Sequence, residues 1–409
     1  MIDAENPDID TGRGSVRPDL GGRTLARLTV AKTVSNVALR WIPPFLPTLE
    51  KAFGATTSQL TTVMGVGEFA GLSTITVGRH LDRGRERLVM TVALLFVAAS
   101  ALIALGGTLI TFAIAYFVLV LGVSNLTVAG QAWISHRVDY RWRARSIGLF
   151  ETSWAVALLL GAPLVAILIN QFGWRGPFVA ISIAAVAAAL MVAFTLPRPS
   201  PQIPNQIALA DAEAVPPVER RRVTITPAAW LVMIGSATTA MAGLSVFVIS
   251  GSWLDDAFGV STGGIGAVAM AFGGMELVAS LGVAGVTDRL GKLRSTLAGL
   301  CVLLIGLVVM VSATDRLWLG ISGILLFLLG FEFAFVASLS LVSEAMPDAR
   351  GTTIAISNGV GTVARATGAI LSGWLYGRYG IGGTAWLSAA AAVAAVVALL
   401  ASRRLTARR

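Results

Sequence analysis

Polar and charged side chains recur at helical spacing inside long apolar stretches of the chain. They form two stripes, one of Lys32, Asn36 and Arg40 at steps of four, and one of Asn358, Thr362 and Arg365 at steps of four and three. Steps of three and four place side chains on one face of a helix. The first stripe is about 12 Å long at 1.5 Å per residue. Because arginine forks suit carboxylates and phosphates, Arg40 and Arg365 predict an anion-binding site.

Four carboxylates also fall inside apolar stretches: Glu68, Glu151, Glu276 and Glu332. An ionised side chain in hydrocarbon costs about 2.5–3.5 kcal/mol on insertion scales, so each needs a partner or a wet cavity. Three cations against four acids nearly balance, and pairing with the glutamates is therefore the alternative role for the two arginines. A carboxylate in a low dielectric can load and release a proton near neutral pH, which is what proton coupling requires. The alternative for each glutamate is a satisfied hydrogen bond between helices.

The composition places these stripes in a membrane. Of 409 residues, 55% are hydrophobic and only 13% are charged, where a soluble domain carries about 25% charged residues. A single cysteine, Cys301, excludes an internal disulfide, and two histidines are too few for a His-rich metal site. No hydrolase or zinc-protease motif is present, and a near match to a P-loop at Gly285–Lys292 lacks the required spacing. We therefore expect neither an enzyme nor a cofactor.

Apolar runs bounded by charges or Gly/Pro turns predict twelve membrane-spanning helices. They lie near 27–47, 58–79, 88–106, 110–135, 145–170, 176–196, 228–250, 263–285, 295–313, 317–341, 351–376 and 382–402. With a cytoplasmic amino terminus, 24 of the 31 Lys and Arg fall in cytoplasmic segments, four in outer loops and three in spans. The net charge of +9 is thus explained by topology and not by nucleic acid. We expect a multi-pass protein of the cell (inner) membrane, with no cleavable signal peptide.

A proline-rich, polar stretch divides the predicted spans into two sets of six. The predicted order is a cytoplasmic tail (1–26), a six-helix bundle (27–196), a cytoplasmic linker (197–227), a second bundle (228–402) and a cytoplasmic tail (403–409). The two bundles repeat each other. Glu50-Lys51-Ala52-Phe53-Gly54 recurs as Asp255-Asp256-Ala257-Phe258-Gly259 at an offset of 205, and Asp82 precedes Asp288 by 206. Arg145 pairs with Arg350, and Gly173 with Gly380, at similar offsets.

The chain resembles the major facilitator superfamily over residues 25 to 402. The resemblance is carried by Gly78-Arg79-His80-Leu81-Asp82-Arg83 between spans two and three, by its copy Asp288-Arg289-Leu290-Gly291-Lys292, and by Gly173-Trp174-Arg175 and Arg350-Gly351. The first copy departs from the family pattern because Gly84 comes one place early. The resemblance implies an all-α membrane fold in two pseudo-symmetric bundles. It also implies that spans one, four, seven and ten line a central cavity, which makes Glu332 the best coupling candidate and adds Trp41 and Gln131 as ligand-binding candidates.

The loops that carry the Asp-Arg motif predict a gate. Each aspartate can accept hydrogen bonds from free amides at the start of a neighbouring helix, and the arginines can bridge the two bundles. Contacts that form in one of two rocked states bias the equilibrium between them. The predicted gating residues are Asp82, Arg83, Arg145, Asp288, Arg289 and Arg350. The alternative is that these arginines only mark the cytoplasmic side.

These patterns predict a monomeric secondary transporter that moves a small organic solute by alternating access. Its partners are the solute, protons and the lipid bilayer. The primary hypothesis is efflux of an amphipathic or drug-like compound in exchange for protons. The rival hypothesis is transport of an organic anion held by Arg40 and Arg365. A channel or a non-transporting sensor on the same fold is the remaining alternative.

Overall fold

A computed structural model describes residues 22–138, 140–197, 224–313, 316–346 and 349–407. Most of the predicted amino-terminal tail and of the predicted linker lies outside these residues. In the part described, all regular secondary structure is helical, which confirms the predicted all-α fold class.

The first six predicted spans correspond to helices of the first half. In chain order these spans are Gly22–Arg40 with Leu46–Phe53, Thr57–Glu68 with Thr74–Asp82, Glu86–Ala104, Leu109–Arg137, the group Tyr140–Glu151, Ser153–Leu159 and Gly161–Phe172, and Arg175–Thr195. The sequence predicts one continuous helix for each span, whereas spans one, two and five are interrupted. Span one turns over residues 41–45, where Pro43 and Pro44 cannot donate backbone hydrogen bonds.

The second half repeats this order. Its helices are Pro227–Phe247 with Ser250–Phe258, Thr262–Leu290, Lys292–Val311, Leu317–Glu344 and Arg350–Ala407. The last helix is broken at Gly380, whose φ of 59° and ψ of −154° are not helical, so it comprises spans eleven and twelve.

Among the described residues, ten helices are long and apolar enough to cross a membrane. One of the ten is the helix broken at Gly380. Span one is not among them, because Gly22–Arg40 carries four basic residues. The helices are therefore consistent with twelve spans.

The repeat is visible in the backbone. The short helices Leu46–Phe53 and Ser250–Phe258 both end on a left-handed glycine, Gly54 with φ 59° and Gly259 with φ 61°. The loops that carry the Asp-Arg motif also both contain a positive-φ glycine, Gly84 and Gly291. Gly84 therefore adopts the positive-φ conformation of its counterpart despite its shifted position.

Spans two and eleven form one of the two long helix-to-helix contacts between the halves, and glycines let the backbones approach. A methyl group on Gly65 would lie 2.6 Å from the carbonyl oxygen of Ala366, and one on Gly373 would lie 1.8 Å from Thr61 Oγ1. Spans five and eight form the other contact, where a methyl group on Gly273 would lie 2.4 Å from the backbone nitrogen of Leu159. Small residues at such surfaces allow close packing of helices in a membrane.

The halves also meet where span one approaches span seven. A methyl group on Gly251 would lie 1.8 Å from the carbonyl oxygen of Pro44. We call the end of the bundle that contains this contact, Lys51 and Asp255 the outer end. The opposite, arginine-rich end, which carries Asp82 and Arg289, is called the basic end.

Gly251→Ala should open the outer end, because the added methyl group must displace the backbone of Pro44. We expect faster alkylation of a cysteine placed at Ser58, which packs beside Gly373, in a Cys301→Ser background. Gly377→Ala is the matched control, since nothing lies within 4 Å of a methyl group there. Equal labelling rates in the two variants would contradict a tight backbone contact at Gly251.

Candidate substrate and coupling site

The polar stripe of span one lies against span five of the same half. Lys32 Nζ donates to Glu151 Oε2 at 2.5 Å, and Asn36 Nδ2 donates to Ser153 Oγ at 3.1 Å. Lys32 and Asn36 are almost fully buried. Steps of four along span one align them with successive turns of span five. In this structure Lys32 and Asn36 thus form polar contacts between spans one and five, and their predicted role in ligand binding stays a prediction.

Arg40 ends the stripe and joins the two halves. Its Nη1 donates to the carbonyl oxygen of Trp154 at 2.7 Å and to Glu276 Oε2 at 2.6 Å, and its Nη2 donates to Glu276 Oε1. The Trp154 ring stacks on the guanidinium, 4.2 Å from ring centroid to Cζ. Arg40 and Glu276 are only 3% and 4% exposed. The sequence left open whether Arg40 binds a ligand or pairs with a glutamate, and in this conformation it is paired.

Glu332 lies beside this pair. It is 8% exposed, it interacts electrostatically with Glu276 and Arg40, and Ser280 donates a hydrogen bond to it. We call Arg40, Glu276 and Glu332 the central cluster. It holds one cation and two carboxylates, so it is neutral when it carries one proton and has a charge of −1 when it carries none.

A second ion pair crosses between the halves at spans two and eleven. Arg365 Nε donates to Glu68 Oε2 at 2.9 Å, and Arg365 Nη2 donates to Thr362 Oγ1 at 3.3 Å. Arg365 is 34% exposed, so this pair is wetter than the pair of Arg40 and Glu276. One Arg–Glu pair therefore lies beside each of the two long helix contacts between the halves.

Open space reaches the span-five side of the site. Glu151 is 41% exposed, although it accepts from Lys32 and, at 2.9 Å, from Gln131 Nε2. Trp154 is 38% exposed on the next turn of span five. Glu151 and Trp154 are therefore exposed groups beside the central cluster.

Two predicted ligand-binding residues are not brought to this site. Trp41 is 1% exposed and packs edge-on against Phe178 inside the first half, with ring centroids 5.1 Å apart. Asn358 is exposed on span eleven, about two turns from Arg365. Its backbone carbonyl accepts from Thr362.

The predicted gating residues lie at the basic end. Asp82, Arg83, Arg145 and Arg289 are all exposed, and the side chains of Asp288 and Arg350 lie outside the described part of the structure. Hydrogen bonds between the halves are formed at the central cluster, between Arg365 and Glu68, and at the outer end. This is the arrangement of a carrier closed at its outer end. The gating role, which concerns the opposite state, stays a prediction.

Sequence reasoning missed a buried cluster at the basic end. Glu86 is fully buried at the start of span three, where it contacts His136 Nδ1 at 2.5 Å and accepts from Arg137 at 3.3 Å. Arg87 donates to the carbonyl oxygen of Leu196 at 3.1 Å. The available signal was Glu86, an acid flanked by Arg85 and Arg87 at the start of span three. The cluster ties spans three, four and six together within the first half.

The chain belongs to the Major Facilitator Superfamily, whose family model matches residues 28–368 and 240–409. It is therefore a multi-pass membrane transporter and not an enzyme. A probable sugar efflux transporter of Mannheimia succiniciproducens is 24% identical over 76% of each chain. Multidrug resistance protein MdtL of Klebsiella pneumoniae is 27% identical over 41% of this chain and 44% of that one. Alignments to three of the curated relatives span 64%, 76% and 85% of those proteins.

The fold is that of solved transporters. The inward-open xylose transporter XylE from E. coli superposes with a TM-score of 0.73, at 15% identity, over 93% of this chain and 95% of that one. This similarity concerns the fold alone.

Removing one partner of the Arg40–Glu276 pair should destabilise the purified protein by about 3–5 kcal/mol, because a charge is then left buried and unpaired. We expect a lower melting temperature for Arg40→Met, and substantial recovery when Glu276→Leu is added. The control is Glu344→Gln, which removes a more exposed pair with Lys292 and should cost about 1 kcal/mol or less. Additive losses in the double variant would argue against the pairing.

Proposed function

We propose that this protein is a proton-coupled exporter of small amphipathic compounds in the cell (inner) membrane, acting as a monomer. The observation that carries the proposal is the central cluster, in which Arg40 of span one pairs with Glu276 of span eight, and Glu332 of span ten interacts electrostatically with both. The names of the two efflux-type relatives support the direction of transport.

The net charge of the central cluster explains how solute movement can be coupled to proton movement. A carrier that rocks with an unpaired charge in its low-dielectric centre must overcome a cost of several kcal/mol. The cluster avoids that cost when one of its carboxylates is protonated, or when a cationic solute lies against Trp154, whose ring and backbone carbonyl contact Arg40 of the cluster. The proton-loaded and solute-loaded forms therefore rock, whereas the empty deprotonated form does not. Exchange of solute for protons follows from this asymmetry.

The accessible groups favour a neutral or cationic solute. Lys32 and Arg40 are both buried and both neutralised by glutamates. The groups that face open space are Glu151 and the Trp154 ring, and an aromatic face attracts cations. An amphipathic compound can lay its apolar part on Trp154 and direct a positive or hydrogen-bonding group toward Glu151.

The organic anion is the rival solute, and Arg365 is the observation that favours it. Arg365 is the most exposed of the three cations within the described spans. A carboxylate would have to displace Glu68 from it, and protonation of Glu68 would assist that exchange. The anion hypothesis thus predicts binding that strengthens as pH falls, while the cation hypothesis predicts the reverse.

Glu332→Gln should abolish proton-driven uphill transport and leave solute exchange intact, because a neutral amide mimics the protonated side chain. The measurement compares gradient-driven accumulation with counterflow in proteoliposomes. Glu344→Gln, at the basic end, is the control and should retain both activities. Normal uphill transport by the Glu332 variant would remove this residue from the coupling mechanism.

Cationic amphipathic compounds should raise the melting temperature of the purified protein more than neutral compounds, sugars or carboxylates do, and the effect should be larger at pH 8 than at pH 6. Ligand-dependent stabilisation should decrease in Glu151→Gln, with Glu344→Gln again as control. Stabilisation by carboxylates alone, lost in Arg365→Gln, would establish the anion transporter instead. Stabilisation by sugars alone would contradict both charge-based hypotheses.

A further inference from the structure

Glu50 joins the two halves at the outer end, beyond the predicted first span. Its Oε1 accepts from Thr57 Oγ1 of its own half at 2.9 Å and from Ser252 Oγ of the other half at 2.7 Å. The side chain is half-buried, and it lies next to the tight backbone contact between Gly251 and Pro44. Closure of the outer end thus removes much of the Glu50 carboxylate from water.

The repeat places further carboxylates around Glu50. Asp255 occupies the same position in the second half that Glu50 occupies in the first, and Asp256 follows it. Both interact electrostatically with Glu50. When the pseudo-symmetric halves meet at the outer end, equivalent acids are therefore brought face to face.

Few groups at the outer end offset this negative charge. Lys51 Nζ lies 3.1 Å from Asp255 Oδ2, but Lys51 is 76% exposed and the pair is therefore weak. Tyr376 of span eleven donates to Asp256 Oδ2 at 2.7 Å and is also close enough to interact with Glu50. With all three acids ionised, Glu50, Asp255 and Asp256 bring three negative charges together, and among the described residues Lys51 is the one cation within ion-pair distance of any of them.

We propose that Glu50 is a second proton-binding site, separate from the central cluster, and that protonation of Glu50 from outside favours closure of the outer end. In the closed state a neutral Glu50 removes its repulsion with Asp255 and Asp256 and the cost of burying its charge. The Thr57 and Ser252 hydroxyls can donate to the carbonyl oxygen of the protonated acid as they do to the carboxylate. This inference does not depend on proton coupling at Glu332.

The direction of the pH effect follows from linkage. Burial first, and then Asp256 and Asp255, raise the pKa of Glu50 in the closed state, while the hydrogen bonds from Ser252 and Thr57 oppose the shift. A group whose pKa is higher in the closed state favours closure fully below its open-state pKa, about 4.3 for an ordinary glutamate. That contribution is lost as pH rises through the higher, closed-state value. Acid outside the cell therefore closes the outer end, and a more alkaline medium releases it.

Protonation of Glu50 would make the return of the empty carrier depend on the external pH. A carrier that has released its solute outside must rebind a proton before it closes and returns. If the outer end itself closes more readily when external protons are abundant, the return step depends on external acidity at two sites and not only at the central cluster. The inner membrane of a bacterium faces such an acidic outer compartment when its proton gradient is inward.

The test measures the distance between two spin labels attached to cysteines that replace Gln171 and Ser312, in a Cys301→Ser background. Gln171 lies at the outer end of the first half and Ser312 at the outer end of the second. The protein carries Glu332→Gln and is held in lipid nanodiscs, so that the central cluster contributes less to any pH response. We expect the long-distance, outer-open population to increase severalfold from pH 5 to pH 8. In Glu50→Gln we expect that population to stay low and independent of pH.

Two further variants test the assignment by sign, and they keep the test decisive if Glu50→Gln does not fold. Asp256→Asn removes a neighbouring negative charge and should move the midpoint of opening to lower pH. Ser252→Ala removes a donor to the ionised carboxylate and should move it upward by about one pH unit. Glu344→Gln should leave the midpoint unchanged. An unchanged pH response in Glu50→Gln, or midpoint shifts of the opposite sign, would overturn the proposal, whereas failure of Glu332→Gln to uncouple transport would not.

Discussion

The structure is organised around the cost of placing charge in the membrane. The described spans contain three cations well inside the apolar region, and each is paired with a glutamate. Such pairing makes span one possible, since a helix that carries Lys32 and Arg40 is too polar to cross a bilayer by its hydropathy alone. Its partners on spans five and eight complete the neutralisation, so span one depends on tertiary contacts for its place in the membrane.

The three pairs differ in what they hold together. Lys32 and Glu151 lie in the same half, and their contact can persist while the halves rock. Arg40–Glu276 and Arg365–Glu68 cross between the halves, one at each of the two helix contacts. Rocking must lengthen, rearrange or rehydrate these two pairs. Their free energy therefore differs between conformations, and a proton or solute that neutralises one of their members shifts the conformational equilibrium by that difference.

The fold and the charged residues inside the spans could be predicted from the sequence, but the partner of each charged residue could not. Composition, the distribution of arginine and the repeat at an offset near 205 residues were enough to predict the family and twelve spans. Glu68, Glu276 and Arg365 were recognised as charges that need partners. Which glutamate meets which arginine depends on how the two halves dock, and no local spacing encodes that. For the same reason Trp41, predicted to bind solute because of its span, instead faces the interior of its own half.

The repeat itself explains why the outer end has distinctive chemistry. Duplication gives both halves the same helix ending, with an acid four positions before a left-handed glycine, at Glu50–Gly54 and Asp255–Gly259. A pseudo-twofold arrangement then brings those endings together whenever the outer end closes. Like charges meet because the two halves carry acids at equivalent positions of the repeat. Among the described residues, the exposed Lys51 is the one cation paired with these acids. Closure of the outer end is thus opposed by repulsion between acids, and protonation of Glu50 reduces that repulsion. The central pairs instead join opposite charges, and protonation of a glutamate weakens their attraction. The two regions respond to protonation with opposite sign, so a single proton gradient can release one contact between the halves while it strengthens the other.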